Sequence, residues 1–437
     1  MSRLGLLALA LIALGACDLT NYDVGGTVTG LTGSGLVLED NLGDSLSITG
    51  NGTFTFSSGV KNGDAYSVTV STQPSNPTET CKVQNGAGTI AKAPVTHIIV
   101  TCIEAGQFAY VANQDSSDIS VFAINANTGY LTQVAGSPFA AGGTTPVSVA
   151  VDPNGAYLYV ANNGSNTVSV FAIEAGTGLL TQVGEAVPTG NAPVAVIVDP
   201  SDSFVFVANQ GSNNVSAYSI SSGQLTELTG SPYAVGAGPS ALATDPGSNF
   251  LYVTNYTDGT VSAFSIEAAT DALSGVSGSP FGAGAGANSI AGDPTGTYAY
   301  VADEAAATVA AFSIASASGA LSPISGSPYN TESNVEAIAV DPAGAHVYAA
   351  NATAANDVAA FSITPSSGAL TTAGANVGAG SLPVSLVIDP AGTFAYVANA
   401  DSNGVAVYSI DGGTGVLSVI SGSPFLSGST PRSIAVH

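Results

Sequence analysis

Arg432 is the only lysine or arginine between residues 105 and 437, a stretch that carries 22 aspartates and glutamates. A lone guanidinium keeps its charge and offers planar donors, so it either grips an anionic or carbonyl oxygen or closes an ion pair. Short segments of the type "PVSVAV" return along the chain. The residue after the first position of each reads Val147, Val194, Ser240, Asn288, Glu336, Val384 and, last, Arg432. If these equivalent places converge, Glu336 can take a proton, Arg432 can stabilise negative charge and Asn288 can orient a polar group. A plainer role is an Arg432–Glu336 ion pair that plugs a channel. Carboxylates alone also offer oxygen ligands to Ca²⁺, and Asp115, Asp118 and Asp303 beside Glu304 are candidates, with solvated turns as the other reading. The histidines, His97, His346 and His437, are too scattered to build a Ser-His-Asp arrangement.

The elements that position these groups repeat. The hexapeptides "FAYVAN" (108–113), "YLYVAN" (157–162), "FVFVAN" (204–209), "FLYVTN" (250–255), "YAYVAD" (298–303), "HVYAAN" (346–351) and "FAYVAN" (394–399) recur every 46 to 49 residues. That period belongs to four-stranded propeller blades, not to helical solenoids. In the second unit "PVSVAVDP" reads as the inner strand and its turn, followed by "YLYVAN", "TVSVFAI" and the outer "GLLTQV". Asp-Pro turns at 152, 199, 245, 293, 341 and 389 leave the aspartate free to cap amides. "GSPF" or "GSPY" segments give tight bends followed by an aromatic that wedges between blades. The region starts at a second strand and ends in an inner strand, "PRSIAV", with His437 where an aspartate would follow. These fragments complete one blade, so residues 431–437 are expected to pair beside Phe108–Asn113 and close the ring.

With 437 residues, 45% hydrophobic, the chain buries real cores, and its glycines (53), valines and threonines with no tryptophan predict an all-β protein. A net charge of −25 repels phosphate backbones, which excludes nucleic acid as a partner. Residues 1–16, "MSRLGLLALALIALGA", have one cation and an apolar run too short to span a bilayer comfortably, the pattern of an export signal. "LGAC" resembles the bacterial lipobox, which implies diacylglyceryl attachment at Cys17, a lipidated N-terminus over 17–20 and a membrane partner reached through lipid. Asp18 resembles an inner-membrane retention signal, and the choice of inner or outer membrane stays open. With Cys17 committed to lipid, Cys81 and Cys102 form an even pair in an oxidising compartment and are expected to bridge. Residues 21–104 read as seven short strands, a small β-sandwich similar to immunoglobulin-like or carboxypeptidase-regulatory-like modules, acting as a spacer before a propeller at 105–437.

The run "VDPNGAYLYVANNGSNTVSVF" and its relatives resemble YVTN-repeat proteins and the lactonase-type, 6-phosphogluconolactonase-like, seven-bladed propellers. That family carries a Pro-Arg-His run entering an inner strand and an Asn-Glu pair ending the next. Here Asn288 and Ser289 stand for the arginine and histidine, Asp303-Glu304 for Asn-Glu, and "PRS" keeps Arg432 but puts Ser433 for the histidine. A single arginine poorly suits a phosphorylated substrate. The expectation is a lipid-anchored, extracytoplasmic envelope protein that binds a polymer, an envelope protein or a small neutral to cationic ligand without a cofactor. Asn288, Glu304, Glu336 and Arg432 form its central pocket. The alternative is a lactonase-like hydrolase or isomerase for an unphosphorylated lactone or sugar acid, with Glu304 or Glu336 as base and Arg432 as electrostatic stabiliser.

Overall fold

The computed structural model describes residues 20–31, 33–74, 79–104, 107–267, 272–331, 333–352 and 355–437; Cys17 and the leader before it lie outside the described residues. The chain forms two compact units, 1–105 and 106–437, whose described regular elements are all strands.

In the first unit two four-stranded sheets enclose one core. Val24–Thr29 lies between Gly52–Thr55 and Val95–Glu104, which in turn pairs with Glu79–Gln84; the other sheet runs Ser45–Ile48, Leu36–Asp40, Ala65–Thr72, Ala87–Thr89. Alternation of side chains sends Val24, Val28, Leu36, Leu38, Tyr66, Val68, Ile98 and Val100 inward. Asn21–Tyr22, Val60–Lys61 and Ala87–Thr89 are short strands beyond the seven read from the sequence. Cys81 and Cys102 face each other in the antiparallel register and form a disulfide.

The second unit is a ring of seven blades: blade 1 (107–140 with 431–436), blade 2 (146–188), blade 3 (193–234), blade 4 (239–282), blade 5 (287–330), blade 6 (335–378) and blade 7 (383–426). In blade 2 the inner strand Pro146–Val151 pairs with Tyr157–Asn162, which pairs with Thr167–Ile173, then with Leu180–Gln182; the order repeats in every blade. Each second strand is covered on both faces by neighbouring blades, which is why "FVFVAN" is a continuous buried run with no polar alternation. Tyr159, Ala161, Val168 and Val170 of blade 2, for example, share a core with Val196, Val205, Val207 and Tyr218 of blade 3.

The Gly-Ser-Pro bends break the outer edge in two. Asp118–Ile124 pairs with Leu131–Gln133 at one end and Phe139–Ala140 at the other, and the intervening Ser137 Oγ accepts the Val121 N–H at 2.8 Å. Phe139, Phe281 and Tyr329 then pack at the edges of cores shared with the next blade. The Asp-Pro aspartates cap as expected: Asp152 Oδ1 accepts the amides of Ala156 and Tyr157 at 2.6 and 2.9 Å, and Asp389 Oδ1 those of Thr393 and Phe394 at 2.6 and 2.8 Å.

Closure is made by Pro431–Val436, antiparallel to Gln107–Asn113, with Tyr110 opposite Ala435 and Val111 opposite Ile434. His437 exchanges backbone hydrogen bonds with Phe108. His346 is buried at the start of its strand, with Nδ1 2.9 Å from Asp341 Oδ2.

Candidate functional site

The inner strands all enter the ring at one end, and their second residues meet there. Val147, Val194, Ser240, Asn288, Glu336, Val384 and Arg432 all line one central cavity of about 550 Å³. The seven-fold repeat explains the convergence: each inner strand starts at the same height and turns the same residue toward the axis. The cavity has three kinds of wall. Valines 147, 194 and 384 are apolar, Asn288 and Glu336 on blades 5 and 6 are polar, and Arg432 stands alone on blade 1.

The Asn288 side chain fixes the acid beside it. Its Nδ2 donates to Glu336 Oε2 at 2.8 Å and to the Glu336 carbonyl at 3.2 Å. Burial and then the neighbouring Glu304 push the Glu336 carboxyl above the ordinary glutamate range; the Asn288 bond and the Arg432 charge pull the other way. Arg432 does not close the plugging ion pair with Glu336, since His346–Asp341 is the only side-chain ion pair among the described residues. The exposed guanidinium makes no hydrogen bond to any described residue, while Glu336 is engaged by the amide of blade 5.

Glu304 follows the second strand of blade 5 and is absent from the cavity lining itself. Its carboxylate raises the pKa of the nearby Tyr256 hydroxyl, and it acts on Glu336 through its charge. Its counterparts after the other hexapeptides are Gln114, Asn163, Gln210, Tyr256, Ala352 and Ala400, and Gln114, Asn163 and Gln210 line the cavity. Apart from Glu304, this second polar ring is absent from the sequence-based site. Its signal was available in the register: the residue immediately after each "YVAN".

One layer below, the third residues of the inner strands are serine in four blades and alanine in three. Ser433 accepts the Val149 amide at 3.2 Å, Ser148 that of Val196 at 3.1 Å, Ser289 that of Ile338 at 3.3 Å and Ser385 that of Ile434 at 3.2 Å. Each bond joins one blade to the next. Ser289 and Ser433, which stand where the resembled family has histidine, therefore serve as fixed acceptors between blades.

Asp303 does not join Glu304 in a ligand set. In the sister blades this place is a buried asparagine whose Nδ2 donates across the hairpin, as from Asn162 to Ser169 Oγ at 2.8 Å and from Asn255 to Thr260 and Ser262 at 3.0 Å each. In blade 5 the serine is Ala310, so the 1% exposed Asp303 has only Thr308 Oγ1 at 3.3 Å, and its Oδ1 has no partner. The carboxyl lies so close to Gly284 that an added Cβ there would fall 2.5 Å from Oδ2. Burial raises its pKa to about 7. Asp115 and Asp118 are committed to Thr430 Oγ1 and Asn113 Nδ2, each at 2.7 Å. Among the described residues no three His, Cys, Asp or Glu side chains gather as a metal-binding group.

The family model described as lactonase, 7-bladed beta-propeller matches residues 97–239 and 236–430. A proposed 6-phosphogluconolactonase from Bacteroides uniformis ATCC 8492 is 20% identical, with a TM-score of 0.68 over 76% of this chain and 100% of its own. A second, from Bacteroides fragilis NCTC 9343, is also 20% identical, with a TM-score of 0.67 over 76% of this chain and 98% of its own. The Pseudomonas aeruginosa periplasmic gluconolactonase PpgL is 18% identical, with a TM-score of 0.65 over 76% of this chain and 98% of its own. These likenesses establish the fold. No curated protein sequence matches the chain significantly.

Proposed function

The chain belongs to the lactonase seven-bladed β-propeller family, and from that premise we propose that its propeller binds a small, unphosphorylated sugar acid or the corresponding lactone in the central cavity. The observation that carries this reading is the Arg432 guanidinium, left without a hydrogen-bonding partner among the described residues on the wall of a 550 Å³ cavity. A space of that size suits a ligand of sugar dimensions. One guanidinium matches a single carboxylate or a carbonyl, whereas a doubly charged phosphate ester calls for further cations. The name of the Pseudomonas aeruginosa neighbour, a periplasmic gluconolactonase, points to the same unphosphorylated class. Titration calorimetry with gluconate and gluconolactone tests it. Wild-type protein is expected to bind, and Arg432→Ala to bind at least tenfold more weakly; absence of binding, or equal affinity in the variant, contradicts the reading.

Turnover of the lactone is the second reading, favoured by Glu336, whose pKa burial and the neighbouring Glu304 raise above the ordinary glutamate range. Such a pair can act as acid and base. The serines at the two histidine places are held between blades and supply no base, which puts binding first. Lactone turnover that disappears in Glu304→Gln and in Arg432→Ala would reverse that order. Lipid anchoring at Cys17 and a place in the cell envelope, with residues 21–104 as spacer, are part of the same proposal. Cys17→Ser should move the protein from the membrane to the soluble fraction, and retention in the membrane fraction would refute the anchor.

A further inference from the structure

The charges of the cavity are separated, and that separation describes a ligand. Arg432 stands on blade 1, Glu336 two blades away on blade 6, and Glu304 three blades away on blade 5, the widest separation a seven-membered ring allows. Between Arg432 and Glu336 lies Val384 of blade 7, which offers no charge or hydrogen bond. The two ends do not neutralise each other across the opening: no ion pair joins them. At the acidic end Asn288 satisfies one oxygen of Glu336, and the charge of Glu304 acts on the same acid. Two carboxylates side by side repel, and the surrounding propeller, with 22 acids and one cation, supplies no neutralising charge.

A sugar acid such as gluconate would satisfy Arg432 and present only hydroxyls to the paired acids. Resting on the sugar-acid reading above, we propose that the preferred ligand is zwitterionic: an aldonic acid with its carboxylate at Arg432 and an amino group at the opposite end of the carbon chain, held by Glu336 with the charge of Glu304 behind it. The ammonium offers three donors to carboxylate oxygens in a partly dehydrated site, where charge-assisted bonds are stronger than neutral ones. The amide arc of Gln114, Asn163 and Gln210 is left for the hydroxyls along the chain.

Calorimetry in EDTA with gluconate and 6-amino-6-deoxygluconate tests this in wild-type protein, Glu336→Gln and Glu304→Gln, each shown by its melting temperature to be folded. The amino acid sugar is expected to bind about tenfold or more tighter than gluconate, the size of one charge-assisted bond. Glu336→Gln should erase most of that preference, read as the ratio of the two affinities within the same protein. Equal binding of the two ligands overturns the zwitterion and leaves the sugar-acid reading standing. A preference that survives both substitutions overturns the assignment to these acids. Binding of neither ligand overturns both proposals together.

Discussion

Asp303 offers the sharpest energetic test, because blade 5 differs from its sisters there by one atom type. Five sister blades and the closed blade 1 place a neutral asparagine at this buried position, and an unpartnered amide oxygen recurs in several of them. In blade 5 the orphaned oxygen belongs to a carboxyl whose folded pKa is raised from 3.8 to about 7. The folded state therefore holds the proton more tightly than the unfolded chain. The resulting stability is fully present below about pH 4 and is lost as the pH rises through about 7. The displacement corresponds to roughly 4 kcal/mol. With an unfolding entropy of about 2.1 cal/mol/K per residue, a unit of this length loses about 0.7 kcal/mol per degree, so the penalty amounts to about 6 °C. Asp303→Asn removes the titrating group and keeps its shape. Scanning calorimetry at pH 5 and pH 9 is expected to show the variant about 2 °C above wild type at the lower pH and about 6 °C above it at the higher. Adding Ala310→Ser, which restores the missing acceptor, should raise both values further. An equal effect at the two pH values, or destabilisation at pH 9, would refute the account of Asp303 as a buried acid held by desolvation.

Removing residues 431–437 takes away the inner strand of blade 1 together with Arg432 and Ser433, exposing an unpaired strand edge; the propeller is expected to lose its single cooperative melting transition, measured by near-ultraviolet circular dichroism. Ser433→Ala leaves the Val149 amide without its acceptor and should cost about 1 kcal/mol in denaturant unfolding, whereas Ala195→Ser, at the equivalent place in blade 3, should install a bond to blade 4 and stabilise by a similar amount. Reducing Cys81–Cys102, which closes a loop with a sequence separation of 21, should lower the stability of the first unit by about 3 kcal/mol while leaving the melting of the propeller unchanged.

Much of this was legible in the sequence because a propeller converts period into geometry. The hexapeptides mark the second strands, so "PRSIAV" at the end and "FAYVAN" at the start of the repeat region could be read as neighbours, as the Tyr110–Ala435 pairing shows. The same register identified the inner-strand residues that line the cavity. What escaped depends on contacts between blades. The serine bridges require knowing that the hydroxyl of one inner strand reaches the amide of the next, and no local pattern encodes that reach. The Arg432–Glu336 pairing suggested by charge alone does not form: the two stand two blades apart with Val384 between them, and the acid's side-chain partner is Asn288 from the adjacent blade. Glu304 was identified, but Gln114, Asn163 and Gln210 at its equivalent places were not, because the site was read from charged residues and these carry none.

The central claim is that Arg432 waits for a ligand's anionic or carbonyl oxygen in the axial cavity. A crystal structure of the protein with gluconate tests it most directly. Density for one ligand inside the ring, with its carboxylate within hydrogen-bonding distance of the Arg432 guanidinium and hydroxyls facing Asn288 and Glu336, is the predicted result. A ligand bound elsewhere on the propeller, or a cavity holding only ordered water at saturating gluconate, would contradict it.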